Sequence, residues 1–195
     1  MTLMAKKNEF QPDKPYATWL SKLHLTHQQQ RDLLKWVLYA LLLAVLSVIQ
    51  DVVLCRLRIF DSTTDLIPCA IFLICILEGT QQGCVFALVA SFFYLRSGSA
   101  PGPQVLILIT VLSTVTAALY QAYLRPGFPA SLLCITLCMA LYEFSVFGFC
   151  MLLGQVTFSR CMGFLVSAVL SLIPLPILYP IARAIGSVGG ERWKE

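Results

Sequence analysis

Charge is what this sequence has least of. Lys, Arg, Asp and Glu make up 12% of its 195 residues, against 58% hydrophobic, and a soluble domain carries about twice that charged share. So little polar surface cannot coat a globule in water, and lipid has to supply part of the solvent. Histidine is nearly missing as well, with His24 and His27 both in the polar N-terminal region, and neither is assigned chemistry. The chain has no HExxH, no Gly-rich phosphate loop, no DxxD cluster and no nucleophile–base pair. An enzyme needs polar groups that converge on a reaction centre, and these are thin here. No catalysis, no cofactor and no metal are expected.

Cysteine is not scarce, but paired cysteine is. Eight cysteines occur without a CxxC. Seven of them, Cys69, Cys75, Cys84, Cys134, Cys138, Cys150 and Cys161, lie within apolar runs or at their edges. Cysteine acts there as a small hydrophobe. Cys134 and Cys138 share a helical face, yet zinc wants four ligands. A cleavable leader is also not expected. The first apolar run begins near Trp36, is too long for a signal h-region, and has no small-residue cleavage site.

What the sequence does have is apolar runs. Thr26-His27-Gln28-Gln29 fits a capping box and opens a helix that reads on to about Cys55. That is longer than the ~30 Å hydrocarbon core, so Arg31, Asp32 and Lys35 are expected in water. The second and third runs, Leu66–Leu77 and Cys84–Leu95, are short for a span of ~20 residues. Joined by Glu78-Gly-Thr-Gln-Gln-Gly83, they read as tilted helices or a re-entrant hairpin. Breakers fill the loop from Arg96 to Pro103. The fourth run, Gln104–Leu124, carries Thr110, Ser113, Thr114, Ala117, Ala118 and Gln121 as a packing stripe. The fifth run is Ala130–Leu153 and the sixth Cys161–Ile185. In the sixth, Gly163, Ser167 and Ser171 form a close-packing face, and Pro174, Pro176 and Pro180 are expected to kink or break its far end. The fold class is therefore all-α: a polytopic membrane protein with a six-helix transmembrane bundle and short second and third helices. Its parts are a basic N-terminal arm (1–30), the membrane domain (31–187) and a short tail (188–195).

Lys6, Lys7, Lys14, Lys22, Arg31 and Lys35 precede the first apolar core, and Arg192 and Lys194 follow the last. The positive-inside rule puts both termini in the cytoplasm, which makes the arm a membrane anchor rather than a nucleic-acid binder. The polar island Arg56–Pro68 then lies outside, and Arg58, Asp61 and Asp65 are its candidates for partner contact. Asp51 is expected to pair with Arg56 or Arg58, and Glu78 to be a helix-end acid in water. Glu143 stands near the middle of the fifth run with no Lys or Arg at its depth. A charge in lipid is expensive, so a protonated or hydrogen-bonded carboxyl is expected, with Gln121 or the hydroxyls of the fourth helix as partners. An interhelical hydrogen bond is the favoured reading over a proton or cation relay, because one carboxylate makes no chain.

The order of segments carries a resemblance. Ser47-Val-Ile-Gln50, then Leu54-Cys-Arg-Leu-Arg-Ile-Phe60, then Thr64-Asp65-Leu-Ile-Pro68 resembles the first-loop pattern of the MreD family of bacterial rod-shape-determining membrane proteins. There, a first helix ending in Gln leads through a short loop to Pro-Asp-Leu at the start of the second. The Gly-containing turn Glu78-Gly79…Gly83, the Ser97-Gly98 loop and Tyr120…Arg125 continue the likeness, which covers about residues 35 to 187. Thr64 replaces the usual Pro, and Tyr94 or Leu95 stands where the family often has Asp. The resemblance implies a non-enzymatic component of the cell-wall elongation complex in the bacterial cytoplasmic membrane. It further implies binding to MreC and, through it, to MreB, RodA-type synthases and class B penicillin-binding proteins.

The alternative is a substrate-binding S component of an energy-coupling-factor vitamin transporter, also a six-helix protein. Ala40-Leu-Leu-Leu-Ala44 is similar to the Ala-x-x-x-Ala by which those proteins dock. That reading needs an outer pocket of converging polar or aromatic groups, for which Gln50, Asp51 and Tyr94 are the material. A secondary transporter would want paired intramembrane charges and repeats, and neither is found.

Overall fold

The computed structural model describes residues 27–52, 64–98, 100–124, 127–154 and 156–188. All regular structure among them is helical: α1 (His27–Val52), α2 (Leu66–Glu78), α3 (Thr80–Ser97), α4 (Gln104–Tyr123), α5 (Phe128–Leu152), α6 (Cys161–Leu172) and α7 (Leu175–Val188). α1, α4 and α5 are long and apolar enough to cross a membrane, and α6 with α7 make a fourth candidate span bent by 48°. The break falls at Ile173-Pro174. Proline lacks the amide that would continue the ladder, and the carbonyl of Pro174 instead accepts from the amides of Ile177 and Leu178 at the start of α7. The expected single sixth helix is thus two, broken at Pro174 as expected, but Pro176 and Pro180 break nothing: both lie within α7, which runs through them.

α2 is the centre of the molecule. It packs against α1, α3, α4, α5, α6 and α7, and every residue from Leu66 to Ile76 is buried. A helix that is apolar all round belongs in a core or in lipid. At 13 residues and ~1.5 Å per residue it is too short to cross lipid alone, and here the surrounding helices serve as its solvent. The outer helices invert the soluble pattern. On α1 the buried line is Lys35, Tyr39, Leu46 and Gln50, while Leu41, Val45 and Val48 face outward. On α5 the inward line runs through Ser131, Ile135, Cys138, Tyr142, Glu143 and Val146, while Leu133, Leu137 and Phe144 are exposed. Cysteine fills small gaps in this interior, and Thr116 meets Cys138 between α4 and α5 at 3.0 Å.

α2 and α3 form a tight antiparallel hairpin around Gly79, whose φ of 87° and ψ of 175° lie where only glycine is unstrained. The stripe read on α4 is partly corrected. Ser113 and Ala117 are buried with Val105, Ile109 and Tyr120, but Ala118 and Gln121 are exposed. The hydroxyls of Thr110, Ser113 and Thr114 mostly bond carbonyls of their own helix.

Candidate functional site

Two polar groups are built into this apolar bundle, one near each end of α1. The first gathers at the start of α2. Gln50, from the last turn of α1, turns its side-chain oxygen to the backbone amides of Leu66 and Ile67, both at 3.0 Å. The first amides of a helix have no partner within it, and in a buried helix something else must accept from them. The Ser171 hydroxyl of α6 accepts the next amide out, that of Asp65, at 2.8 Å. Three helices are thereby fastened at one point. Gln50→Ala leaves two buried amides unpaired and is expected to cost about 1–3 kcal/mol, whereas Gln121→Ala, at an exposed position, is expected to cost less than about 1 kcal/mol. Unfolding in mild detergent measures both.

Around that fastening stand the remaining members. Glu143 of α5 accepts from the Ser167 hydroxyl of α6 at 3.0 Å. Tyr94 of α3 and Tyr142 of α5 are fully buried, and their hydroxyls lie within electrostatic reach of each other and of Asp65 and Glu143. The two hydroxyls face each other, and that of Tyr94 faces Gln50 as well. Phe72 of α2 supports Tyr142 edge-on, with ring centroids 6.3 Å apart.

The second group sits at the other end of α2. Lys35 of α1 and Glu78 of α2 form a salt bridge with side chains only 5% and 6% exposed. Tyr39 donates to the same carboxylate at 2.8 Å and is 3.2 Å from the Ala182 carbonyl of α7. Trp36 covers the ammonium, its ring centroid 5.4 Å away. This corrects the expectation that Lys35 and Glu78 are separate charges in water. Both are interior and they neutralise each other.

Several expected site residues land elsewhere. Arg58 and Asp61 lie outside the described residues, and so do Arg56 and Thr26 of the expected capping box. Asp65 is half-buried beside α6. Glu143 has an interhelical hydrogen bond, but its partner is Ser167 rather than Gln121 or a hydroxyl of α4. Gln121 is at the opposite end of the bundle, accepting from the Thr80 hydroxyl at 2.7 Å. Ser167 and Ser171 are buried on the inner face of α6, as the close-packing reading expects, and they also hydrogen-bond across it. The spacing of Tyr142 from Cys138 and Ile135 puts it on the inward line, which is the signal for it in the sequence. Lys35 and Tyr39 carried a similar signal, four apart on the face that ends in Gln50.

The chemistry available at the larger cluster is that of two carboxyls, two phenols, two hydroxyls and an amide, drawn from four helices and from Asp65, the residue just before α2. Among the described residues no group of three or more His, Cys, Asp and Glu comes together. No family model, curated protein or solved structure matches the chain.

Proposed function

We propose that the chain is an MreD-type component of the bacterial cell-wall elongation complex. In this reading it is a non-enzymatic scaffold that crosses the cytoplasmic membrane six times, with α6 and α7 together as the last crossing. Both termini lie in the cytoplasm on the basic-residue bias. It binds MreC and, through MreC, serves MreB, RodA-type synthases and class B penicillin-binding proteins. One observation carries the proposal. The residues that bear the resemblance, Gln50 and the segment from Thr64 to Pro68, are those that fasten α1 and α6 to the start of the central helix. The motif has a mechanical role, and it holds a rigid core around which lipid-facing surfaces such as those of α1, α4 and α5 are free to take up partner helices.

The convergence of Gln50, Asp65, Tyr94, Tyr142 and Glu143 at one end favours a second reading, the S component of a vitamin transporter, more than the sequence alone does. One experiment separates the two. The tagged full-length chain, extracted from its own membranes in mild detergent and captured, is expected to bring down MreC and wall-synthesis enzymes. Depletion of the chain is expected to round the cells. Capture of an ATPase module instead, with unchanged cell shape and lost vitamin uptake, replaces the scaffold with the transporter.

A further inference from the structure

The outward face of α3 is short in a way that its neighbours are not. Val85, Leu88, Val89 and Phe92 are exposed on α3, and so are Gln81 and Arg96. Steps of three and four residues put all six on one side of the helix. Its apolar surface is therefore closed by an amide at one end and a guanidinium at the other. These two lie 15 positions apart, ~22 Å at ~1.5 Å per residue, against a hydrocarbon core of ~30 Å. On α1 the exposed Arg31 and Asp51, at the ends of the apolar run, are 20 positions apart, or ~30 Å. On α5 the one charged residue, Glu143, is buried, and no amide side chain occurs along the 25 residues, ~37 Å of helix. α3 runs beside α1 through the same depth. Its Phe86 meets Trp36 and Tyr39, with ring centroids 5.6 and 5.9 Å away, and its Tyr94 faces Gln50. From Tyr39, α1 runs eight positions back to Arg31, whereas from Phe86, α3 runs five back to Gln81. The shortfall is therefore at the hairpin tip, where Thr80 and Gln121 add a polar pair at 2.7 Å.

An amide or a charge held in hydrocarbon is costly. Arg96 can snorkel to the headgroups, but Gln81 has a shorter side chain, and tilting α3 shortens its projection further. Thinning the bilayer costs little per Å. We infer that the bilayer thins where it meets α3, chiefly in the leaflet at the hairpin tip, and that this face selects phospholipids with short acyl chains. Short chains fill a thin leaflet without compression, whereas lipids of ordinary length suit α1 and α5. The protein thus stands in the membrane as a wedge, with thin bilayer on one flank. Only the crossing itself is taken from the proposed function, so capture of MreC or of an ATPase module leaves this selectivity unchanged.

The test uses the full chain with Trp19, Trp36 and Trp193 replaced by Phe and one reporter introduced, Phe92→Trp on α3 or Phe144→Trp on α5, both at exposed positions. Each protein is placed in vesicles of brominated dioleoylphosphatidylcholine, which quenches tryptophan in contact with its chains. Unbrominated dimyristoleoylphosphatidylcholine, mixed in, is expected to relieve the quenching on α3 at about half the mole fraction needed on α5, a preference of about twofold. Gln81→Leu with Arg96→Leu extends the apolar face and is expected to remove the difference, with the α5 reporter unchanged. Equal relief at the two reporters overturns the inference, and so does a difference that the double variant keeps. An α3 reporter that brominated lipid leaves unquenched overturns it as well, since a second copy of the chain then covers the face. The chain with its own tryptophans gives a second measurement. Its melting temperature, followed in phosphatidylcholine vesicles from dimyristoleoyl to dierucoyl, is expected to peak at a shorter chain length than that of the double variant. Peaks at the same chain length overturn the inference.

Discussion

Lys35→Met alone is expected to destabilise the protein by about 3–5 kcal/mol, and Glu78→Met by a similar amount, while the double variant regains most of the loss. The reason is the asymmetry of a buried pair. Forming it returns little net energy, since removing both charges from water costs about what their attraction gives back. Deleting one partner is different, because the other stays in a low-dielectric site without an answer. Here the side chains are 5% and 6% exposed, so relaxation into solvent is restricted. Glu78 carries a second obligation: Tyr39 donates to it at 2.8 Å and reaches the Ala182 carbonyl at 3.2 Å. Tyr39 has a single hydroxyl proton for the two acceptors, so losing the carboxylate leaves that proton to Ala182 and keeps α7 tied to α1. Glu78→Met is therefore expected to leave α7 as resistant to proteolysis as Lys35→Met does, with the loss confined to the unanswered Lys35. Denaturation of the four proteins in one detergent gives the coupling energy from a double-mutant cycle. A coupling near zero, or one that vanishes in added salt as an exposed pair would, rules out the buried bridge.

That bridge also marks where the sequence could and could not be read. The membrane class follows from run length and charge alone, and the break at Pro174 follows from a missing amide. Both are properties of a few neighbouring residues. The burial of Lys35 depends on Glu78, 43 positions later, and a lysine just before an apolar run is solvated by default. What was visible locally was the four-residue spacing of Lys35 and Tyr39 on the face that ends in Gln50. The same limit explains Glu143. Its need for a hydrogen bond is a local property of a carboxyl in lipid, but α4 and α6 both offer hydroxyls at helical spacing. Only the packing selects Ser167. The central position of α2 is the least local of these properties. Leu66–Leu77 is apolar on every side, and that composition suits a helix bathed in lipid as well as one enclosed by other helices. Its shortness was the clue, since a segment too short to span has reason to be wrapped by others.

Gly83 sets how closely the central helix can be wrapped. A Cβ added there would stand 3.0 Å from both the Cα and the carbonyl oxygen of Cys75, and 3.2 Å from its Cβ. Backbone atoms of α2 cannot swing aside as a side chain would, so α3 must move away. The Cys75 thiol, 3.2 Å from the Gly83 carbonyl, is part of the same contact. Gly83→Ala is expected to cost about 1–3 kcal/mol by overpacking, despite the gain of about 1 kcal/mol that alanine brings to a helix interior. Gly83→Leu is expected to part α2 from α3 and abolish a monodisperse peak in size-exclusion chromatography. Gly148→Ala is the control. It is also helical, but nothing lies within 4 Å of the added carbon, so the helix gain stands alone and stability holds or rises slightly. Equal melting temperatures for Gly83→Ala and Gly148→Ala would mean that α2 is not gripped by α3 at Cys75. The central helix would then be held by its other helix neighbours and by its two polar ends, by Gln50 and Ser171 at one and by Lys35 and Tyr39 at the other.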